Sequence, residues 1–385
     1  MPHPPYVDAL LQSEAYMHEW HRPAAVQLVE THVSYLFMAD GFVYKVKKAV
    51  DLGFLDFTLL ETRKHYCDEE LRLNRRYSPD VYLDVVPVTQ DGRRITLNGP
   101  GETIDYAVKM RQLPREHMLD ARLQAGAVST ADVQHIARRI AAVHAEAERM
   151  PPDSPYGGWV AFSHHVEENI AQTAEAPPEV VAPEVLEDIA AYSRAFLEAK
   201  RSLFDRRAAE GRVVDGHGDL HAGQICLADG VEFIDCLEFS PEYRRGDVAA
   251  DLAFLAMDLD HFGRHDLSVV LVDAYIGESG DQGIRPLLDF FKCYRAHVRA
   301  KVTLLKAETA GLAGAKLAEA IDEAKAYFTL ARSYALAALP SPALYVAMGL
   351  PGTGKSTIAK ALAERWGMPA WSSDIERKRL FGMQP

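Results

Sequence analysis

The chain has 385 residues, 48% of them hydrophobic and 25% charged, with a formal net charge of −13. That is the composition of a globular protein of two or three domains, and its acidic balance argues against nucleic acid as the main partner. Cys67, Cys226, Cys236 and Cys293 lack C-x-x-C spacing, so neither zinc nor a disulfide framework is indicated. There is no signal-like amino terminus and no apolar run near the ~20 residues of a membrane span, so a cytoplasmic protein without a membrane partner is expected. Oligomeric state stays open.

Residues 6–20 predict a short helix. Residues 26–33 and 41–47 predict strands, the second alternating Phe42, Tyr44 and Val46 against Val43, Lys45 and Lys47. Thr58 opens a helix to about Tyr77, with Glu61 placed to complete a capping box. Residues 85–88 and 93–97 flank Asp91-Gly92, a hairpin signal, and 103–113 is a further strand ending at Pro114. Helices dominate from about 115. The first, over 130–148, carries Val133, Ile136, Ile140 and Val143 on one face. Residues 150–156 and 175–184 read as loops. Further helices are predicted over 186–210, 247–257, 266–276, 285–309 and 316–338. A break at 339–342 precedes a strand over 343–348. The units are a mostly β lobe (1–113), a mostly helical lobe (114–339) and the start of another domain (340–385).

Chemistry concentrates in His217-Gly218-Asp219-Leu220-His221-Ala222-Gly223-Gln224, followed by Phe233-Ile234-Asp235. Kinase-type folds use H-R-D-x-x-x-x-N with a metal-binding Asp shortly after. Asp219 and Gln224 have the Asp-to-Asn spacing. Asp219 is the candidate catalytic base. Asp235, ending an apolar run, suits Mg²⁺, and Gln224 can offer an amide oxygen to the same ion. His217 and His221 are read as holding the loop in shape. In the first lobe, Lys45 with Glu70 fits the strand lysine and helix glutamate that hold ATP phosphates, with Lys47 on the same strand face as a substitute. No G-x-G-x-x-G loop precedes Lys45, so Thr31–Ser34 is the candidate for phosphate contacts. Residues 108–114 suit an adenine-binding hinge.

His217-Gly218-Asp219-Leu220-His221, Ile234-Asp235 and Gly246-Asp247-Val248-Ala249-Ala250-Asp251-Leu252-Ala253 together resemble the aminoglycoside phosphotransferase/choline kinase family. Its members carry H-G-D-x-H-x-x-N, I-D-W and G-D-P-x-x-D-L-A. The helix ending in Val143-His144 is similar too, and the resemblance spans roughly residues 26–300. It implies an α+β, two-lobed protein-kinase-like fold, Asp219 as base and Asp235 as metal ligand. It also implies that Asp251 is a buried acid bracing the catalytic loop, rather than half of a second acidic site with Asp247. Gln224 in place of Asn and Cys236 in place of Trp are departures. Glu238 and Glu242 are candidates for meeting a cationic acceptor.

Gly349-Leu350-Pro351-Gly352-Thr353-Gly354-Lys355-Ser356-Thr357 matches G-x-x-x-x-G-K-[ST]. Backbone groups at Gly349, Gly352, Gly354 and Thr357 would cradle phosphates, Lys355 would reach them, and Ser356 would meet Mg²⁺. Ser373-Asp374 through Arg377-Lys378 is similar to the S-D-x-x-R-K segment of small P-loop kinases. That similarity implies that Asp374 activates an acceptor hydroxyl and that Arg377 lies near phosphate. The expectation is the first βα unit of an incomplete P-loop α/β kinase domain, without activity of its own. The layout resembles bacterial bifunctional aminoglycoside phosphotransferase/ATP-binding proteins.

The leading expectation is an ATP- and Mg²⁺-dependent phosphotransferase acting on a small-molecule hydroxyl. The alternative is a catalytically weak nucleotide-sensing module for an adjoining P-loop kinase. A protein kinase fits less well, with H-G-D for H-R-D and no A-P-E segment after Asp235.

Overall fold

Side-chain alternation along one strand sets up the first lobe. In β3 (Phe42–Lys47), Tyr44 and Val46 enter a core with Phe37, Val86, Val88 and Leu97, while Lys45 and Lys47 take the other face. Around it lie β1 (Val26–Glu30), β2 (Ser34–Ala39), β4 (Tyr82–Asp91), β5 (Arg94–Leu97) and β6 (Glu102–Arg111). They form an antiparallel sheet in the order β1-β2-β3-β6-β4-β5. Tyr6, Val7 and Leu10 of α1 (Pro5–Leu10) join the core on the Tyr44 face. Across the sheet, Cys67 of α2 (Leu60–Asn74) packs with Tyr82 and Val108.

This is a computed structural model; it describes residues 3–381 except 52, 54, 229, 310, 339–344, 351 and 367–370, and omits the side chains of 338, 364–366, 376, 379 and 380. The backbone divides into two units, residues 1–338 and 339–385.

Three expectations for the first lobe need correction. The helix over 6–20 is only α1 plus a 3-10 turn at Ser13–Tyr16. Gln12 is extended, and Ser13 is tied to Pro23 and Arg22. The strand over 26–33 stops at Glu30, where Thr31–Ser34 turns back into β2: Thr31 Oγ1 accepts from the Ser34 N–H at 3.0 Å. The predicted capping box is absent, because Thr58 donates from both its N–H and hydroxyl to Asp56, and α2 starts two residues later.

The helical lobe holds α3 (Leu119–Gln124), α4 (Thr130–Glu146), α5 (Trp159–Thr173), α6 (Pro183–Ala209), α7 (Pro241–Arg244), α8 (Val248–His261), α9 (His265–Ser279), α10 (Leu288–Thr309) and α11 (Gly314–Ala338). Short strands β7 (Val213–Asp215), β8 (Ile225–Cys226), β9 (Glu232–Phe233) and β10 (Arg245–Asp247) pair as β10-β7 and β8-β9. In α4 the predicted stripe Val133, Ile136, Ile140 and Val143 is buried, and Ser129 with Asp132 forms a reciprocal capping box. The helix expected over 285–309 begins as a 3-10 turn through Pro286 and becomes α-helical at Leu288. Helix α8 is the axis of this lobe, buried from Val248 to Leu259. Its N-cap Asp247 also receives two hydrogen bonds from buried Arg207, at 2.7 Å each, and Arg207 donates onward to Asp281.

In the second unit, the described residues hold α12 (Lys355–Trp366) and α13 (Ser373–Leu380). The strand expected over 343–348 is not formed at its described positions: Tyr345–Leu350 has no strand geometry, and Tyr345, Val346 and Met348 are exposed. A strand needs a neighbour for its backbone groups, and no described strand pairs with this one. The break at 339–342 lies outside the described residues. Among the described residues, no helix is long and apolar enough to cross a membrane.

Candidate active site

Strand β3, helix α2 and the segment after β9 bring five charged groups together. Lys45 Nζ lies 2.8 Å from Glu70 Oε1 and 2.6 Å from Asp235 Oδ1. Lys47 Nζ lies 2.7 Å from Glu70 Oε2 and 2.5 Å from Glu238 Oε1. Glu70 therefore serves both lysines, one oxygen each. Burial alone would neutralise these side chains. Against it, Asp235 and Glu70 hold the Lys45 ammonium above the ordinary lysine range, and Lys45 and Lys47 hold Glu70 below the ordinary carboxylate range. Burial pushes the Glu238 carboxyl up.

The loop between β7 and β8 is anchored by α8. Asp251 accepts from the backbone N–H of His217 at 2.8 Å and of Gly218 at 3.0 Å, with His144 at 3.6 Å and Arg295 at 3.9 Å beside it. Gly218 sits at φ +81°, and a Cβ there would lie 2.9 Å from Arg244 Cα and 3.1 Å from Tyr243 O. His217 Nδ1 accepts from Asp219 N–H while Nε2 donates to Ile234 O, which makes it a neutral imidazole. Burial lowers its pKa in the same sense. His221 Nδ1 accepts from Gly223 N–H, so its Nε2–H points toward Asp219, 3.6 Å away. Burial favours a protonated Asp219, but His221 and Arg299 outweigh it and hold the carboxyl well below its usual range. The side chains of Asp219 and Asp235 are 32% and 44% exposed, open enough to meet a ligand.

Asp235 adopts φ +60°, a left-handed conformation that Asp tolerates better than most residues. Tyr82 Oη and Asn74 Oδ1 accept from the N–H groups of Asp235 and Cys236, and Ser78 donates to Phe233 O, so the small lobe grips this segment. Gln224 Nε2 donates to Asp235 Oδ2 at 3.3 Å. For its amide oxygen to serve a metal beside Asp235, the amide has to turn over. No cluster of three or more His, Cys, Asp or Glu side chains suited to a metal occurs among the described residues. Mg²⁺ on a nucleotide commonly takes one or two carboxylates, phosphate oxygens and water, and the oxygen donors here fit that demand.

Other predicted residues lie apart. Glu238 is committed to Lys47, and Glu242 pairs with His165 at 3.2 Å, so neither stands as a bare carboxylate for a cationic acceptor. Asp247 is spent on Arg207 and the α8 cap. In the second unit, Gly349, Gly352 and Gly354 have φ of +151°, +82° and +79°. Lys355, Ser356 and Thr357 open α12, and Lys355 Nζ donates to Leu350 O at 2.5 Å. Asp374 is exposed on α13, bound to Arg377 and Lys378 of its own helix.

Sequence reasoning missed several supports. Asp258 Oδ2 accepts from Ala222 N–H at 2.8 Å, two helical turns beyond Asp251 on the same face of α8; that spacing was readable. Arg299 of α10 lies 3.5 Å from His221 and donates to Tyr327. No local pattern marked it.

No family model matches the chain. Among solved structures, a choline/ethanolamine kinase family protein from Mesorhizobium loti aligns with a TM-score of 0.51, covering 86% of this chain and 99% of that one at 12% identity. The likeness is one of fold, and it identifies the sheet lobe and helical lobe as a kinase-like, two-lobed α+β architecture. Among sequences, the uncharacterized proteins Rv2004c of Mycobacterium tuberculosis (strain ATCC 25618 / H37Rv) and Mb2027c of Mycobacterium bovis are each 33% identical over 356 residues. The match covers 92% of this chain and 68% of each relative. On that identity and coverage, the chain belongs to the family of these mycobacterial proteins.

Proposed function

We propose that residues 1–338 form an ATP- and Mg²⁺-dependent phosphotransferase that moves the γ-phosphate onto a hydroxyl of a small molecule. The observation that carries the reading is the convergence of Lys45, Glu70 and Asp235 within ion-pair distance, beside a loop that presents a braced, ionised Asp219. Lys45, kept charged by Glu70, takes phosphate oxygens. Asp235 and, after an amide turn, Gln224 hold the cation. Mg²⁺ there supplies charge neutralisation on the transferring phosphate. Asp219 orients the acceptor hydroxyl. Accepting that hydroxyl's proton from an already oriented acceptor is compatible with the loose transition state of phosphoryl transfer. Asp251, His217 and His221 keep the loop in the shape this requires. The test is ATP turnover over a panel of amino sugars, sugars and amino alcohols, wild type against Asp219→Asn. Equal rates would remove Asp219 as the base.

For the second unit, the proposal is narrower. Gly349, Gly352, Gly354, Lys355, Ser356 and Thr357 bind nucleotide phosphates and Mg²⁺ at the start of α12, and Asp374 faces an acceptor hydroxyl as part of a P-loop kinase. Two sites for a fluorescent ATP analogue, of which Lys355→Ala removes one and leaves the other, would support this.

One observation favours a second reading. The Gln224 amide N–H already occupies Asp235 Oδ2, as a cation would. A nucleotide sensor is the outcome if calorimetry finds ATP binding that ignores Mg²⁺ and no turnover follows.

A further inference from the structure

We propose that Lys47 and Glu238 act as a positioning clasp, holding the segment that bears Asp235 on strand β3 while a metal-bound nucleotide separates Asp235 from Lys45. The inference rests on the reading of Lys45 and Asp235 as phosphate- and metal-holding groups. Those two neutralise each other at 2.6 Å. Each is needed by the ligand, so their contact opens as the ligand enters.

The two pairs repeat one another. Lys45 and Lys47 are two apart on one face of β3; Asp235 and Glu238 are three apart on the facing segment; Glu70 bridges both lysines. They differ in access to solvent. The Lys45 and Asp235 side chains are 11% and 44% exposed, while those of Lys47 and Glu238 are 1% and 8% exposed. The outer pair can exchange its partner for a ligand. The inner pair is closed to a ligand; removing Lys47 strands Glu238 as a buried charge, and removing Glu238 leaves Lys47 tied to Glu70 alone. The Phe57 ring, 5.2 Å from Lys47 Nζ, closes the inner pair further. Other anchors of residues 235–237 include backbone hydrogen bonds to Tyr82, Asn74, His217 and Arg244 and the contacts of the Cys236 thiol with Gly216 and Arg76. These fix the chain path, and Glu238 adds an ionic tie to β3 itself. Lys47 and Glu238 are positioning residues: they act on the ligand through Asp235.

Calorimetry with ADP, in the presence and absence of Mg²⁺, tests the clasp in the full chain. All chains carry Lys355→Ala, so that the second unit's glycine loop does not contribute. Mg²⁺ is expected to tighten ADP binding to this background by about tenfold. Glu238→Gln and Lys47→Met, which break the pair from opposite sides, should each bring that ratio to about one while metal-free ADP affinity stays within about twofold. A lower Tm with the tenfold ratio intact is what a purely structural pair would give, and it overturns the clasp. If one variant fails to fold by circular dichroism, the other decides; if neither folds, the pair is structural and the clasp is overturned. A background chain that binds ADP with no Mg²⁺ linkage, or does not bind it, overturns the underlying reading of Asp235, a result recognised before any clasp variant is made.

Discussion

The two regions carrying phosphate-binding signatures are built in opposite ways. In residues 1–338 the charged groups that matter are drawn from distant parts of the chain. Lys45 meets Asp235 across 190 positions, and the His217–Gln224 loop hangs from Asp251, 33 and 34 positions away. Among the described residues of 339–385, the charged side chains named above make local contacts: Lys355 reaches Leu350, and Asp374 reaches Arg377 and Lys378. Local contacts between exposed charges contribute little and hold nothing else in place. A glycine-rich loop before a helix supplies phosphate-facing N–H groups, and long-range partners such as those of Lys45 and Asp219 turn charged groups into a rigid constellation.

The largest expected effect sets the two regions directly against each other. Asp219→Asn should lower ATP turnover by about 10²–10⁴-fold, the range for losing a general base, while Lys355→Ala should leave that turnover within about twofold. Steady-state rates of both variants would reverse the comparison if Lys355 proved the more sensitive. Next, Arg207→Met strands the Asp247 and Asp281 carboxylates in the helical lobe. Urea unfolding should report a loss of about 3–5 kcal/mol, and a loss below ~1 kcal/mol would mean that water replaces Arg207. Asp251→Asn keeps the shape of the brace but only one of its acceptor oxygens. A loss of about 1–3 kcal/mol is expected, with turnover reduced and the acceptor KM little changed.

The smallest effect is a pH dependence. For Asp215, burial is outweighed by Arg244, Arg76 and Arg245, which bring its carboxyl down to about 2; for Asp251, burial is outweighed by nearby His144 and Arg295, which bring it to about 2. Groups depressed in the folded state contribute stability that is fully present above their unfolded pKa near 3.8. That contribution is lost as pH falls from about 4 toward 2. Acid unfolding followed by near-ultraviolet circular dichroism should therefore fall in that window, with the transition of Asp251→Asn less steep. Asp219, held lower still, should add no acid limb to turnover between about pH 5 and 7.

Much of the helical lobe was legible because its helices carry their own pattern. The α4 stripe announces which face is buried, and the His217–Asp235 and Gly246–Ala253 motifs mark the loop and its brace. The small lobe was harder. Strand β2 went unread because the Thr31–Ser34 turn lacks the Gly or Pro that usually marks one, and α5 fell between two segments read only as loops. At the site, Lys45 and Glu70 followed from a known spacing. Glu238 read as a candidate for substrate, when its charge is consumed by Lys47. Nothing within a few residues of either announces that pairing; it is created when β3 and the segment after β9 fold against each other. Arg299 reaches the loop in the same way, through tertiary packing.

The space around Gly218 has a consequence for how separable this loop is from its surroundings. At φ +81° and within 3.1 Å of the Arg244 and Tyr243 backbone, its position has no room for any side chain. The arginine of an H-R-D loop would displace the turn that leads into β10. The His217–Gln224 loop and residues 237–244 are therefore a matched set: neither can be transplanted into another kinase-like scaffold, or exchanged for its counterpart there, without bringing the other.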